Sequence, residues 1–202
     1  GANDSFCQGA GFGRRGQVKA DHQSGGVGIL RDLGGDDKYV AGVFAQGTGY
    51  WQGTGLLADG DGSDTYDAFY YVQGAAAHYA LGVLSDDGEG DDVFNGTLPV
   101  AYVHLGSGHD FSVGLLINEK GNDTYSANGL GLGASNCNGI GIFVDNAGDD
   151  DYASPTDYGA GMGNVSTECI NTRPNAINIG IMIDGGGDDS YTFPESTFAM
   201  PA

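Results

Sequence analysis

The sequence is poor in basic residues. Lys and Arg together number 7, against 27 Asp and Glu, and the formal net charge is -20. Nucleic acids and anionic membranes are bound through clustered Lys and Arg, so this composition argues against both as partners and favours cations. The alternative is that the acids only keep a secreted or halophilic protein soluble. That alternative predicts scattered acids, whereas these recur at one place in a repeat.

Long apolar runs and proline are also scarce. No run approaches the ~20 apolar residues of a membrane-spanning helix, and residues 1–25 lack the pattern of a signal peptide, so we predict no membrane insertion. Only 5 prolines accompany 39 glycines, without the three-residue period of collagen. The glycines are therefore expected to serve turns and close packing of layers.

Cysteine is equally sparse. The three residues Cys7, Cys137 and Cys169 match no zinc or redox spacing. Cys137 and Cys169 lie about one repeat apart, so in a coiled architecture they either stack and form a disulfide or remain buried thiols.

What the sequence does contain is a repeated unit: an apolar strand pattern, then an acidic turn, then an aromatic residue. It occurs six times, at 26–39, 53–66, 81–94, 112–125, 139–152 and 178–191. A period of 20 to 50 residues indicates a solenoid or array. The commonest spacing, about 27 residues, is too short for a propeller blade, and no 3.6-residue apolar stripe is present. We predict an all-β, parallel β-solenoid of about six to seven coils.

The repeats define one predicted domain, 1–202. Within it, 1–25 is a degenerate leading coil or cap, 26–191 holds the six repeats, and 192–202 is a C-terminal cap or arm. Segments that begin at Gln8, Gln46 and Gln73 are predicted to form the remaining face of the coil. The long connection after Tyr152, which contains Cys169, is predicted to be a loop on one side.

The strand pattern also predicts which side chains face inward. At the second and fourth positions of each repeat, aliphatic residues such as Val113 and Leu115 alternate with glycine, which is typical of a strand with one buried face. We therefore predict that these positions form interior ladders. The fifth position, for example Leu116, is apolar too, and is either interior or part of a covered outer face.

The turn concentrates oxygen-bearing side chains around glycine. Calcium takes 6 to 8 oxygen ligands, and stacked carboxylates repel one another unless a cation neutralises them. The alternative is that these residues only cap turn backbone, as Asp and Asn often do. The predicted Ca²⁺ ligands are Asp32, Asp36, Asp37, Asp59, Asp64, Asp86, Asp91, Asp92, Asn118, Asp123, Asp145, Asp149, Asp150, Asp184, Asp188 and Asp189.

The end of the turn resembles a known calcium motif. The segments Gly-Ser-Asp-Thr-Tyr at 62–66 and Gly-Asn-Asp-Thr-Tyr at 121–125 are similar to half of the calcium-binding nonapeptide repeat of RTX proteins, which form parallel β-rolls. The resemblance covers about five residues per copy, and the nonapeptide recurs every nine residues rather than every 27 or so. It implies that the aspartate after Gly-x is a calcium ligand, here Asp37, Asp64, Asp92, Asp123, Asp150 and Asp189.

No established catalytic motif is present, and we assign no catalytic residue. The one local cluster of histidine and carboxylate is His104, His109 and Asp110. We predict a secreted or cell-surface structural or adhesive module that self-associates or joins a larger assembly. The alternative is a carbohydrate-binding or polysaccharide lyase-like β-helix that binds glycans through an aromatic strip, with Tyr50, Trp51, Tyr70, Tyr71, Tyr79 and Tyr102 as candidates.

Overall fold

The computed structural model of the protein describes residues 5–16, 23–95, 103–155, 159–163 and 177–194. These residues form strands and turns, and among them we find no helix with the length and apolarity needed to span a bilayer. In chain order the strands are Gly11–Phe12 (β1), Val27–Arg31 (β2), Lys38–Val40 (β3), Gly49–Tyr50 (β4), Thr54–Asp59 (β5), Thr65–Asp67 (β6), Ala76–Ala77 (β7), Leu81–Asp86 (β8), Val93–Asn95 (β9), Gly108–His109 (β10), Val113–Asn118 (β11), Thr124–Ser126 (β12), Ser135–Asn136 (β13), Ile140–Asp145 (β14), Asp151–Ala153 (β15), Ile179–Asp184 (β16) and Ser190–Thr192 (β17).

The strands form three parallel sheets that run side by side along the molecule. Sheet A has the order β1-β4-β7-β10-β13, sheet B has β2-β5-β8-β11-β14-β16, and sheet C has β3-β6-β9-β12-β15-β17. Equivalent repeat positions pair across neighbouring strands, as Val113 does with Leu81 and Ile140. The parallel β-solenoid is therefore confirmed, including the in-register stacking of repeats and the Gln-led segments as its third face.

The core is a narrow stack of leucine and aromatic side chains. Leu57, Leu84 and Leu116 on sheet B are fully buried and pack against the aromatic residues of sheet C. Those rings form a continuous ladder, with centroids 4.6 Å apart between Tyr66 and Phe94 and 4.9 Å between Phe94 and Tyr125. The four central repeats thus each bury one apolar side chain of sheet B and one aromatic side chain of sheet C, and the sheet B residue of the fifth repeat is Phe143.

The prediction that the second and fourth positions form interior ladders is wrong. Along β11 the buried residues are Gly114, Leu116 and Asn118, while Val113 and Leu115 face outward. The reason is the thinness of the solenoid. A Cβ added at Gly55 would lie 2.1 Å from the backbone oxygen of Thr48, the residue before β4 of sheet A, so only glycine fits on that inward position. The interior therefore takes the glycines and the fifth-position residues, and the aliphatic pairs lie outside.

The cysteines are partly accounted for. Cys137 is disulfide-bonded and Cys7 is present as a thiol, while Cys169 lies outside the described residues. The long connection after Tyr152 and the segment 195–202 also fall largely or wholly outside them.

Candidate metal centre

In most repeats, two positions project carboxylates into the interior where sheet B turns toward sheet C. The strand-end aspartates, such as Asp86 and Asp145, close the sheet B strands on an inward position of the alternation. The inner turn aspartates, such as Asp92 and Asp123, come just before sheet C. All four of these carboxylates are at most 1% exposed.

These side chains meet in groups that we call trios. Each trio joins the inner turn aspartate of one repeat to the strand-end and inner turn aspartates of the next, with carboxylate oxygens within 4.8 Å of one another. Asp64 and Asp150 each belong to two trios, so neighbouring trios share a ligand. Among the described residues the trios are Asp37/Asp59/Asp64, Asp64/Asp86/Asp92, Asp123/Asp145/Asp150 and Asp150/Asp184/Asp189.

Backbone hydrogen bonds hold the inner turn aspartates in line. The N–H of Asp64 donates to Oδ1 of Asp92, at 2.7 Å, and the N–H of Asp123 donates in the same way to Oδ1 of Asp150, at 2.7 Å. One oxygen of each carboxylate is therefore used between repeats. The other oxygen, Oδ2, is buried and has no hydrogen-bond partner in Asp64 and Asp92. A buried, unpartnered oxygen is costly unless a proton or an ion satisfies it.

The strand-end aspartates combine a cap with a link to the aromatic ladder. Oδ1 of Asp86 accepts the N–H of Gly88 at 3.0 Å, and Oδ2 accepts the hydroxyl of Tyr66 at 2.6 Å. The Tyr125 hydroxyl donates to Asp145 in the next repeat, also at 2.6 Å. The capping role considered from the sequence is thus present here, but a single cap uses one oxygen and does not compensate the charge of the whole trio.

Burial acts strongly on the acidity of these groups. It raises the pKa of Asp64 and Asp150 to about 7, of Asp123 to about 8 and of Asp92 to about 9, and neighbouring carboxylates push in the same direction. The ion pairs formed between described residues, His78–Asp110 and Lys120–Glu89, include no member of a trio. The trios must therefore hold either protons or a cation.

One junction between repeats departs from the pattern. Where Asp92 and Asp123 approach each other, the strand-end residue is Asn118, whose Nδ2 donates to Oδ2 of Asp123 at 2.8 Å and to the Tyr125 hydroxyl at 2.8 Å. The preceding aromatic residue is Phe94, which has no hydroxyl to donate. This interrupted junction therefore has one carboxylate fewer and an amide donor in its place.

The outer turn residues lie outside the trios. They come directly before the inner turn aspartates, and the exposed ones are Asp36, Asp91, Asp149 and Asp188. Here the N–H of the later repeat donates to the side chain of the earlier one, which is the reverse of the direction at the inner turn aspartates. The N–H of Asp188 donates to Oδ1 of Asp149 at 2.8 Å, and the N–H of Asn122 to Oδ1 of Asp91 at 2.9 Å. Asp32, in the first repeat, also lies outside the trios and accepts the N–H of Leu33 at 2.7 Å. Asp32, Asp36, Asp91 and Asp149 thus accept backbone N–H groups here.

The histidine cluster expected from the sequence is divided. His104 is buried, its Nε2 accepts the N–H of Asn128 at 3.0 Å, and burial lowers its pKa to about 4. Asp110 instead lies beside His78, with 2.5 Å between Oδ2 and Nδ1. Sequence reasoning missed this pair because its members are 32 residues apart, although that separation is about one repeat.

The candidate aromatic strip is only partly on the surface. Tyr71 is buried, Tyr79 is exposed and Tyr102 lies outside the described residues. Rings in this region cover one another's faces, as Tyr79 and Phe111 do at 5.1 Å.

In comparisons with protein-family models, curated proteins and solved structures, nothing matches this chain.

Proposed function

We propose that the chain is an extracellular, calcium-stabilised structural or adhesive β-solenoid, with Ca²⁺ bound by the trios. The observation that carries this proposal is the burial of three carboxylates together, without a cationic side chain and with unpartnered oxygens at Asp64 and Asp92. Buried charges persist when they are paired or coordinate a metal. An ion shared between successive repeats would link them in addition to strand pairing.

The donor set supports calcium over other metals. All donors are carboxylate oxygens, which suit hard cations rather than zinc or copper. Mg²⁺ usually keeps several of its waters, and trios such as Asp64/Asp86/Asp92 are at most 1% exposed. The similarity of the Gly-x-Asp-x-Tyr turn to the RTX nonapeptide supports the same ion.

An extracellular setting is supported by two features. The disulfide at Cys137 favours an oxidising compartment. Extracellular calcium modules bind with dissociation constants of about 0.1 to 1 mM. Trios of similar affinity would therefore hold calcium outside the cell. A carbohydrate-binding role has less support, since ring faces such as those of Tyr79 and Phe111 are stacked on each other.

Thermal unfolding tests the proposal. The midpoint should rise when calcium replaces chelator at neutral pH, and magnesium at the same concentration should have a much smaller effect. A midpoint that is the same in calcium and in chelator would remove the ion from this account and leave protonated trios as the explanation.

A further inference from the structure

The side chains on the outward side of sheet B are almost all aliphatic. We define this outer face by its outward residues, which are Val27, Ile29, Arg31, Thr54, Leu56, Ala58, Leu81, Val83, Ser85, Val113, Leu115, Ile117, Ile140, Ile142, Val144, Ile179, Ile181 and Ile183. All but Arg31, Thr54 and Ser85 are aliphatic. Because the strands are in register, the side chains form straight columns across the sheet.

This face is accessible to solvent. On the central strands Leu115 and Ile142 are half-buried by their neighbours, whereas the inward Leu116 and Phe143 are fully buried. Toward the edges exposure rises, to 48% at Ile183 on one side and 72% at Val27 on the other. Sheet A packs against the opposite, glycine-bearing side of sheet B, so it does not cover this face.

The size of the outer face is that of a protein interface. Six strands about 4.8 Å apart and about 20 Å long give a footprint of roughly 500 Å². Monomeric soluble proteins rarely expose apolar patches larger than a few hundred Å². Covering the face on two molecules would bury about 1,000 Å² in total, which is the lower limit for a specific interface.

The charge distribution indicates which partner fits. The face contains no carboxylate, and Arg31 is its one charged side chain, although the chain as a whole has a net charge of -20. A lipid surface is a poor match, since the face lacks the Trp, Tyr and clustered Lys of membrane-surface proteins. A second copy of the chain brings an identical apolar face. The exposed Asp87, which accepts the Ser85 hydroxyl at 3.0 Å, then lies at the rim of the contact and not at its centre.

We propose that two copies pack the outer faces of their B sheets against each other about a two-fold axis. The contact is isologous, with equal column spacing on both sides, and the two sheets lie about 10 Å apart, as in β-sandwiches. It does not depend on the calcium proposal, because no trio residue takes part.

Molar mass measured by light scattering after size exclusion, in calcium and in chelator, tests this contact. The wild-type chain should have the mass of two copies, and dilution should shift it toward one. Leu115→Glu and Ile142→Glu each place an outward charge at the middle of the face, where it is solvated in the monomer but buried in the dimer. Both variants should have the mass of one copy at concentrations where the wild type is a dimer.

The matched control is Thr65→Glu, an outward strand residue of sheet C that is also half-buried and that receives the same charge. It should remain a dimer, and circular dichroism should show that all three variants keep their strands. A monomeric wild type, a dimer that survives both outer-face substitutions, or dissociation by Thr65→Glu would overturn the proposal. Binding of a monomeric wild type to neutral phosphatidylcholine vesicles would assign the face to lipid instead.

Discussion

The junction between Asp92 and Asp123 and the junction between Asp123 and Asp150 have the same backbone and different chemistry. In both, an aspartate N–H donates to the aspartate of the next repeat, at 2.6 and 2.7 Å. The second junction adds a carboxylate, Asp145, and a tyrosine hydroxyl that donates to it. The first has Asn118 and the preceding Phe94 instead.

This difference shows that the hydrogen bonds at a junction do not depend on the number of carboxylates there. Asn118 supplies its own donor where Phe94 cannot, so the interrupted junction remains bonded with one negative charge fewer. The fold therefore does not need three carboxylates at a junction. Trios elsewhere therefore have more carboxylates than capping requires, in agreement with the proposed ion.

The largest effect should come from converting a trio into a copy of the interrupted junction. In Asp145→Asn one ion site loses a carboxylate, and the free energy of unfolding in calcium should fall by about 2–3 kcal/mol at saturating ion, the contribution of a site filled at ~100 times its dissociation constant. In chelator the variant should be at least as stable as the wild type, because a buried charge has been removed.

The control for that change is Asp149→Asn. It removes the same charge from an exposed outer turn residue, whose oxygen can still accept the N–H of Asp188. Urea unfolding with and without calcium compares the two variants. Equal losses from both in calcium would mean that the trios have no special role.

The next largest effect should come from converting the interrupted junction into a trio. Asn118→Asp combined with Phe94→Tyr should complete a trio with Asp92 and Asp123 and increase the number of bound calcium ions by one. Calorimetric titration counts the ions in the double variant and in the wild type. An unchanged count would show that the amide at Asn118 is not what interrupts the column.

The dependence of stability on pH should change sign with calcium. In chelator the folded carboxyls have pKa values of about 7 at Asp64 and about 9 at Asp92, against 3.8 for an ordinary Asp. Between these values the folded state binds more protons than the unfolded state, so the free energy of unfolding should fall as pH rises from about 4 to about 9. With calcium bound it should instead fall toward acid pH, because protons then compete with the ion. A curve of the same sign in both conditions would contradict a shared site.

The smallest effect should come from single hydroxyl deletions. Tyr66→Phe leaves Oδ2 of Asp86 without its hydroxyl donor and should cost about 1 kcal/mol of stability in chelator. Tyr191→Phe removes a hydroxyl that contacts Asp184 from a side chain that is 51% exposed, and should cost much less. Thermal melts of the two variants measure the difference, and equal costs would show that burial does not set the strength of these bonds.

The sequence was sufficient to predict the parallel solenoid and the stacking of equivalent repeats, because both follow from the spacing of the repeated unit. It did not predict which side of sheet B is buried. Aliphatic residues at the second and fourth positions pointed to the interior, but the close approach of sheet A at Gly55 leaves room only for glycine.

The candidate site shows a similar limit. All ten trio aspartates were among the predicted ligands, and this assignment to calcium stays a prediction. The distinction between Asp92, which is in a trio, and the adjacent Asp91, which is exposed, depends on side-chain direction in the turn. The joining of three residues from two successive repeats depends on the axial offset between coils. Neither quantity can be obtained from residue spacing alone.

Anomalous diffraction from crystals grown in calcium would locate any bound ions. The account predicts calcium peaks inside the trios, about one strand spacing of ~4.8 Å apart where trios share an aspartate, with a wider gap at Asn118. Crystals without calcium peaks in the trios, or with peaks only at exposed acids such as Asp91 and Asp149, would contradict it.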